Sequence, residues 1–155
     1  MYYVNQEQID ARLAFVPDLL QACAALESSW EARGKTAPEG GVKEADSELL
    51  LHLAQERTLH LAIETVTDVG SLLIDAFMMR DASSYEDIVE ILAGEGVFGA
   101  DVALVLTELV KLRRPLTQEY NTLPRSGLHP MIAKLPGALG AFAEAVPAFI
   151  SKEML

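Results

Sequence analysis

A single cysteine, Cys23, in a chain of 155 residues excludes an intramolecular disulfide and a multi-cysteine metal site. It sits in an apolar helical pattern, where a small core residue is expected. Aromatic side chains are scarce, at 6%, while half the chain is apolar, a balance that suits aliphatic packing between helices. Positive charge is also short. Twelve Lys and Arg face 23 Asp and Glu, and the net charge of −11 disfavours generic nucleic-acid binding at long range. A local cationic site remains compatible with that total, because exposed charges are screened beyond roughly 10 Å at moderate salt. Long apolar runs are missing too. Leu49-Leu50-Leu51 is followed at once by His52, Gln55, Glu56 and Arg57, far short of spanning length. The start, Met1-Tyr2-Tyr3-Val4-Asn5, has neither a basic head nor an apolar stretch, so no membrane association and a cytoplasmic location are expected. There is no glycine-rich phosphate loop, no nucleophile elbow, no internal repeat and no strand-like alternation.

What is present is helical periodicity. Ile9, Leu13, Val16, Leu20, Cys23 and Leu26 recur at three- and four-residue steps, predicting a helix from near Asn5 to Trp30, capped by Asn5 and bent near Phe15 by Pro17. Glu31 to Asp46 holds Gly34, Pro38, Gly40 and Gly41 without apolar period and reads as an exposed loop. A second helix is expected from Ser47, with Asp46 or Ser47 as cap, to about Met79, a span of about 48 Å. Apolar over much of its circumference, it needs more than one neighbour, and a partner subunit is the economical explanation. Asp81 or Ser83 starts a shorter helix through Tyr85, Ile88, Ile91 and Leu92, stopped by Gly94-Glu95-Gly96. The apolar run from Ala100 leads to Tyr120, Leu123 to Gly127 is a turn, and Pro130 to Lys152 is expected as a helix bent or frayed by Pro136 and Pro147. The expected fold is all-α: one domain over residues 1–155, an up-and-down bundle of four to five helices with one very long helix.

His52, Glu56, His60, Glu64 and Asp68 are spaced four apart along that long helix. Each step advances about 40°, so the row spirals instead of forming one face. Di-iron bundles use a carboxylate and histidine three apart, with a matching pair on another helix. Neither is present, so surface pairing and interior hydrogen bonding are expected, with no metal and no cofactor. His129-Pro130 reads as helix-start chemistry, and Met78-Met79-Arg80 as core and interface.

Chemistry concentrates in Lys111-Leu112-Arg113-Arg114-Pro115-Leu116-Thr117-Gln118-Glu119-Tyr120. Three cations, an amide, a carboxylate and a phenol share ten residues. On an unbroken helix Arg113 and Tyr120, seven apart, return to nearly one face about 10.5 Å apart, while Gln118 falls to the side. Pro115 can kink or restart the helix and alter that geometry. The alternative is the solvated basic end of an ordinary helix.

Arg113, four residues, then Gln118-Glu119-Tyr120 resembles the Arg-x4-His-x-Tyr motif of HepT-like proteins, a branch of the HEPN superfamily, with Gln118 at the histidine position. Arg57 to Gly70 resembles that family's long second helix, and Ser84-Tyr85-Glu86-Asp87-Ile88-Val89-Glu90-Ile91-Leu92 the short segment after it. The likeness runs from about Met1 to Ala148. It implies a homodimer with Arg113, Gln118 and Tyr120 at the catalytic motif positions of a cleft between protomers. Members are described as metal-independent ribonucleases, toxins of bacterial toxin–antitoxin pairs. Their partner, a minimal nucleotidyltransferase, attaches AMP to the motif tyrosine, here Tyr120. RNA or a nucleotide in the cleft would be bound by Arg113 and Arg114. The histidine would exchange the proton and the arginine stabilise phosphorane oxygens. Gln118 cannot exchange a proton near neutral pH. The resemblance therefore implies an interaction or regulatory module with weak or lost cleavage, the alternative being an endoribonuclease toxin that acts through Arg113 and Tyr120.

Overall fold

Seven helices lie along five rods in the computed structural model, which describes residues 2–33 and 44–155. The expected loop therefore falls for its greater part outside the described residues. α1 (Gln6–Leu13) and α2 (Val16–Ala32) form the first rod. The Asn5 side chain accepts a hydrogen bond from the Gln8 N–H, as expected of an N-cap. The rod breaks at Ala14 and Phe15, just ahead of Pro17 in the first turn of α2, where its missing N–H costs nothing.

α3 (Glu44–Ala76) runs for 33 residues, about 50 Å. It is already helical at Glu44, so neither Asp46 nor Ser47 caps it, and it ends three residues before Met79. Thr58, Thr65 and Thr67 are buried along it because each hydroxyl donates to the carbonyl four residues back, at 2.8 Å. α4 (Tyr85–Gly94) begins after Ser84, whose hydroxyl accepts from the Asp87 N–H; the cap is Ser84, not Asp81 or Ser83. Gly94-Glu95-Gly96 ends it, Gly96 at φ +81°. α4 lies so close to α3 that a Cβ at Gly70 would run into the Ile88 side chain.

α5 (Ala100–Lys111) and α6 (Arg113–Gln118) make the fourth rod, and α7 (Met131–Glu153) the fifth. The helix expected here, bent or frayed, forms as α7, continuous over 23 residues despite Pro136 and Pro147, so the fraying alternative does not hold. Its buried stripe, from Ile132 through Leu135, Leu139, Phe142 and Val146 to Ile150, packs on α2 and α5. α3 touches all six other described helices: α1, α2, α4, α5, α6 and α7. One contiguous apolar core results, with Ile9, Ile63, Leu73, Leu92, Leu106 and Phe142 fully enclosed. Cys23 belongs to it, and burial first, then Glu27, pushes its thiol up to about 11, so it is protonated at neutral pH. Among the described residues no helix is long and apolar enough to cross a membrane.

Candidate functional site

The break between α5 and α6 falls at Leu112, and Pro115 explains it. Its ring clashes with the carbonyl four residues back, at Lys111, and it has no N–H to offer that carbonyl. The chain tightens instead, with the Leu112 N–H on the Leu109 carbonyl at 3.0 Å, then resumes as Leu116 N–H bonds Leu112 at 3.0 Å. Arg113 is thereby the first residue of a six-residue helix that packs on α3 and α5.

The Arg113 guanidinium carbon lies 3.9 Å from the centroid of the Tyr85 ring. Its Nε is shielded from solvent and has no hydrogen-bond partner among the described residues. The other arginines are all engaged by polar groups. Arg12 faces Asp68, Arg33 Glu48, Arg80 Asp87, Arg114 Glu119 and Arg125 Glu56, while Arg57 lies 3.3 Å from His60 Nδ1. Among the described residues Arg113 forms no ion pair with a carboxylate.

Tyr85 owes its place to the segment before it. Arg80 donates two hydrogen bonds to Asp87, both 2.7 Å, and the Ser83 N–H and hydroxyl add bonds at 2.9 and 3.0 Å. Met78, in the left-handed region at φ +53°, turns the chain off α3, and the Met79 N–H closes that turn on the Ile74 carbonyl. The Arg80 hydrogen bonds first, then the Ser83 N–H, hold the Asp87 carboxyl well below the usual carboxylate range. A depressed carboxylate stabilises the fold above its unfolded pKa, near 3.9, and loses that contribution as the pH falls below it. Arg80→Ala is therefore expected to lower the thermal midpoint at neutral pH. The gap from wild type should narrow as the pH drops through about 4. Melting curves followed by circular dichroism check this; a gap that stays constant into strong acid contradicts it.

The remaining motif residues are more open. Gln118 is exposed at the last position of α6. Arg114 is exposed, with its Nε 3.9 Å from Glu119. Tyr120 lies beyond the helix, because Glu119 at φ −117° and ψ 25° leaves helical geometry. The expectation that Arg113 and Tyr120 share one face of an unbroken helix is thus corrected. Tyr120 is 62% exposed, so its hydroxyl is reachable and its ring is not packed in the core.

α3 also holds the loop after the motif. Buried Gln55 donates to the Gly127 carbonyl at 3.3 Å and accepts from the His129 N–H at 2.7 Å, and Glu56 takes two bonds from Arg125. His129 Nδ1 accepts from the Met131 N–H at 3.0 Å, the helix-start role expected of it. Burial, then Lys134, lowers its pKa. His52 stacks edge-on against Trp30 and His60 sits 3.3 Å from Glu64. Among the described residues no hydrogen bond, ion pair or ring contact joins any of the three histidines to Arg113, Gln118 or Tyr120. Of the spaced row, Glu56 and Asp68 are paired with arginines from other elements, and His60 with Glu64.

The profile of the family described as Ribonuclease HepT-like matches residues 21–146, somewhat less than the span over which the resemblance was read. This chain belongs to the HepT-like ribonuclease family. A relative, the candidate RNase YutE of Bacillus subtilis (strain 168), is 29% identical over 154 residues, 99% of this HepT-like chain and 95% of its own length. The solved structure of YutE, described as a cytosolic protein from Bacillus subtilis, matches with a TM-score of 0.76 at 28% identity, covering 99% and 95% of the two chains. Within this HepT-like fold, sequence reasoning placed Tyr85 among the apolar positions of α4 and missed its contact with Arg113. The available signal was its position: α4 buries Ile88, Val89, Ile91 and Leu92, and a phenol in the first turn next to Glu86 sits at the edge of that face.

Proposed function

We propose that this HepT-like protein is a homodimeric interaction module that holds a phosphate-bearing ligand, a nucleotide or RNA, at Arg113 and engages a nucleotidyltransferase-type partner, with RNA cleavage weak or lost. The observation that carries this reading is the uncompensated Arg113 guanidinium in an otherwise acidic chain, beside a motif whose proton-exchanging position is Gln118. A guanidinium supplies planar donors and charge for phosphate oxygens. An amide orients a substrate and exchanges no proton between pH 5 and 8. Exposed Leu49, Leu50 and Leu53 on α3 and Leu104 on α5 support association with a second copy or a partner. Arg114, already close to Glu119, adds a weaker, solvated charge to the same site.

The second reading, an endoribonuclease toxin acting through Arg113 and Tyr120, is favoured by the family match itself. Binding separates the module from an unrelated packing role. Arg113→Ala is expected to weaken binding of a fluorescein-labelled single-stranded RNA by roughly 10-fold or more, the scale of one charge-assisted contact. Fluorescence anisotropy reads it, and equal affinity in the two proteins removes Arg113 from the site.

Tyr120 supports the partner's part of the proposal. Its exposed hydroxyl offers an acceptor for AMP, and that transfer needs activation by the partner enzyme, not a histidine at position 118. Intact-mass measurement after incubation with ATP, magnesium and a cognate nucleotidyltransferase is expected to show one AMP adduct, absent in Tyr120→Phe. An adduct that persists in that variant places the acceptor on another side chain.

A further inference from the structure

Tyr85 has no role in the motif, yet it is the side chain on which the motif arginine rests. The guanidinium carbon stands over the ring at 3.9 Å, close to stacking contact and well inside the range of cation–π attraction. Among the described residues no hydrogen bond or ion pair fixes the Arg113 head group, and its Nε is covered but unpartnered. Orientation of that head group must therefore come from packing, and the ring is the partner in contact.

A ring differs from a carboxylate in one respect that bears on binding. A carboxylate at that position would orient the guanidinium and neutralise it, as Asp87 does for Arg80. An aromatic face orients the ion through its quadrupole and leaves the net charge in place. The N–H groups lie in the plane of the guanidinium, so a ring face parallel to that plane would not consume them. Tyr85 is itself fixed at the first turn of α4 by the Ser84 cap and the Arg80–Asp87–Ser83 cluster. The backbone that carries the ring is thus held in place and the ring itself is 41% exposed, while α6, which carries Arg113, is only six residues long.

We propose that Tyr85 is the positioning residue of this site: its ring holds the Arg113 guanidinium in a fixed orientation without neutralising it, so that the charge and the in-plane Nη donors stay available to a phosphate group of a nucleotide or RNA. The proposal rests on Arg113 being the anion-binding residue, as argued above. Loss of the ring releases the head group to many rotamers and reduces phosphate binding. The hydroxyl is not required, so phenylalanine serves in its place.

The test uses the full chain and the same labelled single-stranded RNA, with wild type, Tyr85→Phe, Tyr85→Leu, Tyr85→Met and Arg113→Ala. Affinity is read by anisotropy and the Arg113 side chain by 15N-edited NMR of its Nε–H group, assigned by its loss in Arg113→Ala. A ring stacked on the guanidinium shifts that proton upfield, a signature that a merely structural role for Tyr85 does not produce. The expected result is an upfield Arg113 signal in wild type and Tyr85→Phe, with equal affinity. In Tyr85→Leu and Tyr85→Met the signal returns to its ordinary position and binding weakens by roughly 2- to 30-fold, the scale of a cation–π contact. An unshifted Arg113 signal in wild type overturns the proposal with no variant needed. So does wild-type affinity in both Tyr85→Leu and Tyr85→Met, or equal weakening in Tyr85→Phe, which would assign the effect to the hydroxyl. If Arg113→Ala binds as wild type, the anion-binding reading itself fails; if Arg113→Ala loses binding while the Tyr85 variants keep it, only the role of Tyr85 fails.

Discussion

Gln118→His is expected to raise RNA cleavage by about 10²- to 10⁴-fold, the range that a positioned general acid–base group contributes. The position is exposed at the end of α6, so an imidazole fits there without disturbing the core, and stability should be unchanged. The arginine that would stabilise the transferring phosphate stands five residues earlier, over the Tyr85 ring, and forms no ion pair with an acid among the described residues. The gained activity should depend on pH through an imidazole titrating near 6.5 and vanish when Arg113→Ala is added. Initial rates on a labelled RNA measure this. A variant no faster than wild type would mean that the missing imidazole is not what limits cleavage.

Phe142→Ala is the second large effect. Phe142 is fully buried in the middle of α7 and meets Phe98 at a ring-centroid distance of 6.1 Å. Truncating a buried phenylalanine to alanine costs about 3–5 kcal/mol, the transfer term and the cavity together. Small domains have only about 5–15 kcal/mol in all, so the variant should unfold at a much lower urea concentration. Because α7 contains two prolines, its order depends on this burial, and its helical signal should be lost in the same transition. Urea titrations at fixed protein concentration, followed by circular dichroism, test it; a loss under about 1 kcal/mol would show that the α7 stripe is not what holds the helix.

That dependence explains where sequence reasoning failed and where it did not. Pro17 marked the break between α1 and α2 correctly, because a proline in a first turn is compatible with a helix start. Gly94 and Gly96 marked the end of α4 for a similarly local reason. Pro136 and Pro147 are local signals against a helix, each costing about 3 kcal/mol in an isolated interior. Nine buried residues of α7 outweigh them, and burial of that kind is decided by α2 and α5, not by the segment itself. The end of α6 was illegible for the opposite reason: no glycine follows Gln118, and helical geometry simply lapses at Glu119.

In the site, the motif positions were legible and their surroundings were not. Arg113, Gln118 and Tyr120 stand out by type and spacing within ten residues. The contact between Arg113 and Tyr85 joins α6 to α4 across 28 positions of chain, and no periodicity announces it. The Arg80–Asp87 pair crosses a non-helical connection, so the four-residue rule for helix pairs gives no hint of it. Likewise Gln55 looked like one more polar residue on a long helix, yet it is buried and takes both a donor and an acceptor from the loop after the motif.

The central claim, that Arg113 binds a phosphate-bearing strand which Gln118 leaves uncut, is tested most directly by following one labelled RNA for binding and integrity in the same sample of wild-type protein. The account predicts a bound fraction that falls on Arg113→Ala and an RNA that stays intact over the time in which Gln118→His degrades it. Arg113-dependent cleavage by wild-type protein at a rate comparable with Gln118→His would contradict it.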